Sequence, residues 1–410
     1  MKHRLVHLDC LRGLAALLVC LEHLRAFLFV PFAQLKSPNL PERAFYFVTG
    51  LGHQAVMIFF VLSGFLVGGS VISARQTGRW SWTGYALRRL SRLWMVLIPA
   101  LLLTLFWDQL GRHQFAAGYH GDFRALYNSG PAPGAPADLH PSTFLGNAFF
   151  LQTISVNCFG TNGPLWSLAN EFWYYLLFPL VLGMFFKSDF RFQVSGLRSP
   201  ISGLRNGLCC IACFALALIV MVLLPGAILW GGLVWLLGAG VFALIQNGQV
   251  KSWAAHPLWI PGSGLLALGL LAASRMGRLG GANDLLLGLG FAGLVAGLAV
   301  RSELSGFKSP LSGLRPQVSG FALYARLSAG LSEFSYTLYL VHFPLLAFFF
   351  FVVFQGRQVA PGLGSAFGFA GILTAVVIYA SAIWWLFERN TDRLRKKIEQ
   401  LMGRQAIQKH

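Results

Sequence analysis

Two ionisable residues, Arg12 and His23, lie eleven positions apart in the first apolar stretch of the chain. On an α-helix this spacing is three turns plus about 20°, so both side chains fall on one face, about 16 Å apart along the axis. Ionisable groups inside a membrane helix are costly and usually face a cavity or a functional path. The guanidinium can bind an anion, and a neutral imidazole is the usual proton acceptor near neutral pH.

A second basic pair, Arg89 and Arg92, is three positions apart. On a helix the two side chains lie one turn apart on neighbouring faces, where they can grip a phosphate in a fork. The alternative is ordinary anchoring by positive charge at the cytoplasmic end of a span.

Glu171 lies at least a turn inside a predicted helix that begins near Pro164, among apolar and aromatic neighbours. A carboxylate without a partner is costly there, so Glu171 is a candidate site residue. Its neighbours Trp166 and Tyr174 are candidate substrate-binding residues, although both fit equally well in an aromatic belt at the membrane surface.

Three more polar residues, Ser335, Tyr339 and His342, follow one another at intervals of four and three positions. On a helix they share one polar face. Tyr339 and His342 are therefore candidate substrate-binding residues, although a single histidine on a helix is more often a packing residue.

The composition is typical of a polytopic membrane protein. Of 410 residues, 56% are hydrophobic and only 11% are charged, and the apolar residues fall in runs of about 20. We therefore predict an all-α integral membrane protein with about ten transmembrane helices, near residues 11–31, 54–74, 91–107, 164–186, 208–225, 228–246, 256–273, 284–300, 332–354 and 364–387.

The net charge of +18 is distributed across the predicted membrane rather than gathered in one patch. With the N-terminus inside, 24 Lys and Arg lie on the inner side and eight on the outer side. The positive-inside rule therefore predicts that both termini are cytoplasmic, and a nucleic-acid partner is not expected. Residues 1–390 form the predicted membrane domain, and residues 391–410 a basic cytoplasmic tail on the inner membrane surface.

The remaining segments carry less chemistry. The outer loop from Asp108 to Gly163 is expected to be irregular, with an interfacial or re-entrant piece at 143–155. Arg12 interrupts the first apolar run, which argues against a secretory signal peptide. Cys209, Cys210 and Cys213 lie in an apolar helix without nearby His or Asp, so no metal site is predicted.

Taken together, five ordered segments of the chain resemble the membrane acyltransferase family 3. The matching segments are Leu8 to Gly13 running on to His23, Phe59 to Phe65, Arg89-x-x-Arg92, Leu165 to Leu168 ending at Glu171, and Ser335 to His342. The resemblance covers about residues 5 to 390.

The resemblance implies a ten-helix enzyme of the bacterial cytoplasmic (inner) membrane. Such an enzyme moves an acyl group, commonly acetyl from coenzyme A, onto hydroxyls of surface polysaccharides, lipopolysaccharide or lipid-linked glycans. It also implies that Arg12 and His23 are essential and that Arg89 and Arg92 lie near the donor. No permanently bound cofactor is expected, acyl-coenzyme A being a co-substrate, and the form is the stand-alone one without a fused esterase-like domain.

A mechanism follows from these residues as a hypothesis. The anionic donor meets Arg12, Arg89 and Arg92 at the inner mouth, and its thioester reaches His23. His23 removes the proton from the acceptor hydroxyl, and Glu171 orients His23 or binds the acceptor. An acyl-histidine intermediate is the competing route.

Two further questions stay open at this stage. Glu22 and Arg25 flank His23 and either pair with each other or tune the histidine. A transporter or flippase for a lipid-linked or anionic solute is the alternative function, because it too needs many spans and buried charges.

Overall fold

The computed structural model describes residues 5–119, 137–185, 202–304 and 320–407. Within these ranges all regular structure is helical, and only isolated β-bridges occur outside the helices. The predicted all-α class is therefore confirmed. The helices are α1 (Val6–Leu28), α2 (Leu40–Val48), α3 (Gly52–Ser63), α4 (Gly69–Gln76), α5 (Trp82–Gln114), α6 (Pro141–Ala148), α7 (Leu165–Phe185), α8 (Ser202–Leu223), α9 (Gly226–Gln246), α10 (Lys251–Ala254), α11 (Trp259–Arg275), α12 (Asn283–Leu304), α13 (Gly320–Phe348), α14 (Leu363–Leu386) and α15 (Thr391–Ile407).

Six helical segments of the described chain are long and apolar enough to cross a membrane. They are Leu40–Gln76, Trp82–Gln114, Gly226–Gln246, Gly280–Ser302, Gly320–Val353 and Leu363–Leu401. The other four predicted spans correspond to α1, α7, α8 and α11, which are helices but are more polar, shorter or only partly described. The count of ten spans and the cytoplasmic position of both termini stay predictions.

Helix α1 occupies the centre of the molecule, packed against α13 and α3. Gly13 permits the contact with α13, because a Cβ atom at this position would lie 2.5 Å from the Cβ of Leu331. The small residues Ala15 and Ala16 are each 1% exposed on the same helix. Close approach through small residues is the usual way in which helices pack in a membrane, and here it brings the charged positions of α1 against α13.

Helix α3 is joined to α4 by a π-helical turn, Gly64–Gly68, which packs against α9. A Cβ atom at Gly64 would overlap the backbone carbonyl of Trp235, and one at Gly238 would overlap the carbonyl of Val61. The two glycines therefore let the backbones of α3 and α9 cross almost in contact. The crossing also fixes the position of the adjacent Ser63.

In two core helices, a proline frees a carbonyl group that accepts a side-chain hydrogen bond instead. Pro179 in α7 cannot donate to the carbonyl of Tyr175, and Pro344 in α13 cannot donate to that of Leu340. Side chains from other segments donate to both carbonyl oxygens. The Tyr85 hydroxyl donates to Tyr175 O at 2.9 Å, and the Asn162 amide donates to Leu340 O at 2.9 Å. These bonds tie α5 to α7 and the segment before α7 to α13.

The described part of the segment expected to be an irregular outer loop, Asp108 to Gly163, is more ordered than predicted. Helix α5 continues to Gln114, a short 3₁₀ turn follows at Ala116–Tyr119, and α6 overlaps the piece expected to be interfacial. Asp108 accepts hydrogen bonds from the backbone N–H and the hydroxyl of Thr161, both at 2.7 Å, which secures this segment to α5. Residues 120–136 of the expected loop lie outside the described residues.

The tail begins as the helix α15, as expected, and packs against α5. Its residues 408–410 lie outside the described chain, and the domain boundary at residue 390 stays a prediction. Cys10 and Cys20 are free thiols, and the side chains of Cys209 and Cys210 are among those not described.

Candidate active site

A cavity of about 150 Å³ lies among α1, α3, α5, α7 and α13. Four charged side chains line it: Arg12, Arg89, Arg92 and Glu171. Its apolar wall comes from α3, through residues such as Phe59 and Phe60. The chain thus brings four of the predicted site residues, together with Tyr339, to one cavity with three positive charges and one negative charge.

Arg12 is held from two sides by polar groups of α1 and α13. Its Nε donates to Ser332 Oγ at 2.8 Å, and its Nη2 also donates to the same hydroxyl and contacts Asp9 Oδ1 at 3.4 Å. The Ser332 hydroxyl donates to Asp9 Oδ1 at 2.8 Å. Because Gly13 lets α1 approach α13 closely, Arg12 and Asp9 can both reach Ser332. The guanidinium therefore faces the cavity in a fixed position with a nearby counter-charge.

Arg89 and Arg92 project from the first third of α5. The Arg89 guanidinium carbon lies 5.5 Å from the centre of the Tyr85 ring and 5.7 Å from that of Tyr175, and Nη2 donates to Ser70 Oγ at 3.1 Å. Arg89 Nε is buried without a hydrogen-bond partner. Arg92 is exposed at the cavity mouth. The Arg89 guanidinium is therefore held in place by the two rings and by Ser70, and it keeps N–H groups that can donate to an anion.

Glu171 ends a directed chain of hydrogen bonds. The Trp235 indole N–H donates to Ser63 Oγ at 3.1 Å, and Ser63 and Tyr175 hydroxyls lie 3.1 Å apart. The Tyr175 hydroxyl in turn donates to Glu171 Oε1. Because an indole only donates and a carboxylate only accepts, each hydroxyl in the chain points toward Glu171. This chain gives Ser63 a polar role in addition to the packing expected for its segment.

The predicted contact between Glu171 and His23 is absent from the described structure. His23 Nδ1 instead lies 2.8 Å from His342 Nε2, and His342 Nδ1 lies 2.9 Å from the carbonyl oxygen of Leu338. The two imidazole rings are tilted by 18°, and the edge of the Phe343 ring closes one side. His23 is 9% exposed and His342 is fully buried. The histidine pair is thus a separate, enclosed part of the site.

Tyr339 connects the cavity with the histidine pair. Its ring lines the cavity and its centre lies 6.1 Å from that of His342, one turn further along α13. The Tyr339 hydroxyl donates to Pro164 O at 3.1 Å and lies 2.6 Å from Ser167 Oγ. Arg12 bonds to Ser332 and His23 bonds to His342, so both α1 residues face α13, as their spacing predicts.

Trp166 and Tyr174, the other predicted substrate-binding residues, do not line the cavity described above. Tyr174 is 4% exposed and donates its hydroxyl to Ile228 O at 2.7 Å. Trp166 packs edge-on against Phe60, with 6.3 Å between ring centres. Neither belongs to an exposed aromatic belt, because both pack against the protein interior.

Glu388 is a site residue that the sequence analysis missed. It directly follows α14, accepts a hydrogen bond from the Thr337 hydroxyl at 2.6 Å, and has Arg92 and Arg12 as electrostatic neighbours. In the sequence it lies at the end of the last predicted span, next to a tail that contains both acidic and basic residues. Its position gave no signal of a role in the site.

Glu22 and Arg25 both contact the region where α3 begins. Glu22 lies against Gly52, and Arg25 donates to Thr49 O at 3.4 Å while its guanidinium lies 5.4 Å from the Tyr46 ring centre. Each is an electrostatic neighbour of the other. Arg25 is also an electrostatic neighbour of His23, so pairing and an effect on the histidine both stay predictions.

Comparison with known proteins matches nearly the whole chain to one family. The family model, described as an acyltransferase domain, matches residues 5–387, which include every segment of the resemblance. An uncharacterized protein of Haemophilus influenzae is 31% identical over 134 residues, which are 32% of this chain and 49% of that protein. The matching region thus spans about half the length of that curated relative. No solved structure matches the chain.

Proposed function

The chain belongs to the acyltransferase 3 family, and from this premise we propose that it is a membrane O-acyltransferase. It moves an acyl group, most simply acetyl, from cytoplasmic acyl-coenzyme A to a hydroxyl of a carbohydrate acceptor. The acceptor is a surface polysaccharide, lipopolysaccharide or lipid-linked glycan at the bacterial inner membrane.

One observation carries the proposal. A cavity lined by three arginines leads to Tyr339, whose ring lies 6.1 Å from one member of a buried histidine pair. The reaction needs both parts, because an anionic donor must be bound and a hydroxyl must lose a proton. Tyr339 lies between the cavity and the histidine pair, so the thioester and the acceptor hydroxyl would meet near this residue.

The cavity suits the donor in charge and in size. Arg89, Arg92 and Arg12 would bind phosphate oxygens of coenzyme A at the mouth. A cavity of about 150 Å³ holds a ligand about the size of benzene, which supports a short acyl group on a thin arm rather than a long acyl chain. The helical rise between Arg12 and His23 is about 16 Å, a distance that an extended pantetheine arm can cover.

The chemistry assigned to His23 is proton transfer. Neutral His23 accepts the proton of the acceptor hydroxyl while the oxygen attacks the thioester carbonyl carbon, and a new C–O bond forms. The C–S bond then breaks, and the leaving thiolate takes the proton from the imidazolium. Products are the ester and free coenzyme A, and His23 returns to its neutral form.

Glu171 takes a role in the cavity rather than at the histidine. Its carboxylate already accepts the Tyr175 hydroxyl, yet a carboxylate has room for several donors. We assign to it a hydrogen bond from an N–H or O–H of the bound substrate. It also offsets part of the positive charge of the cavity, as Glu388 does next to Arg92 and Arg12.

The test uses purified full-length protein in detergent, acetyl-coenzyme A with a labelled acetyl group, and separate polysaccharide, lipopolysaccharide and lipid-linked glycan fractions as acceptors. Labelled ester on one of them is expected. His23→Ala should abolish the label, whereas His256→Ala, at an exposed position, should leave it unchanged. Full activity of the His23→Ala protein would refute the catalytic assignment.

The same preparation separates the alternatives. A transporter gives no labelled ester in detergent, because moving a solute forms no ester bond. A single turnover without acceptor separates direct transfer from an acyl-histidine route: label that stays on the protein and is missing from His23→Ala excludes direct transfer.

A further inference from the structure

The hydrogen bonds of the histidine pair permit one arrangement of protons when both rings are neutral. His342 Nδ1 lies 2.9 Å from the carbonyl oxygen of Leu338, and a carbonyl only accepts, so Nδ1 carries the proton. Nε2 of a neutral His342 is then a bare acceptor. His23 Nδ1, at 2.8 Å from this atom, must be the donor. His23 Nε2 is thereby left without a proton.

We propose that His342 is a positioning residue that holds His23 in the Nδ1–H tautomer and thereby makes Nε2 the basic nitrogen. The proton arrangement stands on the geometry alone. Its catalytic consequence rests on the proposed acyl transfer. His342 is thus assigned to His23 rather than to substrate binding, which the sequence analysis suggested.

The surroundings favour two neutral rings. His342 is fully buried, and Phe343 packs edge-on against His23 with 4.9 Å between ring centres. The charged group that acts on the pair is Arg25, a cation. Among the described residues, no carboxylate acts on either ring. A buried imidazolium would therefore lack a counter-charge, which is costly.

The position of His342 is fixed by its own helix and by a distant side chain. The acceptor of its Nδ1–H, Leu338 O, lies one turn back on α13. Pro344 leaves Leu340 O without its helical donor, and Asn162 donates to that oxygen at 2.9 Å. The ring of His342 and the backbone two residues before it are therefore each held by a hydrogen bond, and a fixed ring can impose one tautomer on its partner.

The proton arrangement can be read directly by ring-nitrogen NMR of full-length protein labelled with ¹⁵N-histidine in detergent micelles at about pH 8, where an ordinary histidine is neutral. The expected spectrum shows a hydrogen-bond coupling between two rings, with the shared proton on Nδ1 of one and a bare Nε2 on the other. The same pair of signals disappears in His23→Gln. A proton on His342 Nε2 would overturn the proposal. This result does not depend on whether acyl transfer is observed.

The catalytic consequence is tested with two substitutions of similar volume. The Gln in His342→Gln places an amide oxygen near the former Nε2 atom and can still accept from His23, whereas the Met in His342→Met cannot. We expect His342→Met to lower kcat for labelled acetyl transfer by at least about 100-fold, and His342→Gln to retain kcat within about threefold. The KM for acetyl-coenzyme A should stay within about twofold in both variants.

A purely packing role predicts a different pattern, namely equal loss in the two variants in proportion to their thermal destabilisation. That pattern would overturn the assignment of His342. Normal transfer with the opposite tautomer would refute this inference and leave the proposed function intact. If the expected tautomer is found but no acyl transfer to the tested acceptors occurs, the proton arrangement stands and the proposed function is refuted.

Discussion

The arginine-lined cavity and the histidine pair lie on the same two helices, α1 and α13, but satisfy their polar groups in different ways. Around the cavity, charged groups share partners: Arg12 shares Ser332 with Asp9, and nearby Glu388 has two arginines as electrostatic neighbours. In the histidine pair, one hydrogen bond joins the two rings and another ties His342 to its own helix. The cavity tolerates rearrangement around a flexible anion, whereas the pair specifies the position of a single proton.

This difference predicts which kinetic constant each part of the site should affect. Binding that is spread over several charges changes the affinity for the donor gradually, because each contact is one of many. A proton transfer depends on one atom in one geometry, so its loss lowers the rate steeply. Substitutions in the cavity should therefore act on KM, and substitutions in the pair on kcat.

The largest effect is expected from His23→Gln. The amide cannot accept a proton, so kcat should fall by about 10²- to 10⁴-fold, while the dissociation constant of acetyl-coenzyme A, measured by calorimetry, should remain within about twofold. A parallel loss of donor affinity would break the comparison, because it would place His23 in the donor site. Membrane levels equal to those of the original protein serve as the control.

Arg89→Gln should act mainly on the donor. Hydrogen bonds to charged groups contribute about 1.5–3 kcal/mol, so KM for acetyl-coenzyme A should rise by about 10- to 150-fold, with kcat within about threefold. Arg79→Gln is the matched control, since it removes the same charge from an exposed position on the predicted inner side. An unchanged KM in the Arg89 variant would move the phosphate site elsewhere.

Two adjacent tyrosines provide a smaller and sharper test. Tyr175→Phe removes the hydroxyl that donates to Glu171 and leaves Ser63 without its acceptor, so kcat/KM should fall by about tenfold. Tyr174→Phe removes an equally buried hydroxyl that donates to Ile228 O, outside the cavity. It should lower thermal stability without changing kcat/KM. Equal kinetic effects of the two substitutions would show that the hydroxyl chain has no specific role.

The sequence predicted what depends on spacing within one helix and missed what depends on contacts between helices. The shared face of Arg12 and His23 follows from helical periodicity, and the structure turns both toward α13. The pairing of His23 with His342, 319 positions away, follows only from the packing of α1 against α13. In the same way, nothing local to Tyr85 or Asn162 indicates that each donates to a carbonyl released by a proline in another helix.

Glu171 shows the same limit for a residue that was recognised. Its burial could be predicted, because a carboxylate inside an apolar helix needs partners. Its direct partner Tyr175 lies one turn further along the same helix, but Ser63 and Trp235, which extend the hydrogen-bond chain, come from two other helices and could not be predicted. The sequence therefore predicted which helix faces carry polar residues, as for Arg12 and His23, but not which helices those faces contact.

The smallest effect is expected from Trp166→Phe. Although the sequence motif suggested a substrate-binding role, the Trp166 ring packs on Phe60 and does not line the cavity. Replacing it with a smaller ring should reduce thermal stability and change kcat/KM by less than about twofold, since neither a charge nor the histidine pair is altered. The measurement is acetyl transfer at several acceptor concentrations. A rise of more than about tenfold in KM for the acceptor alone would show that a third region, beside the cavity and the pair, binds the acceptor.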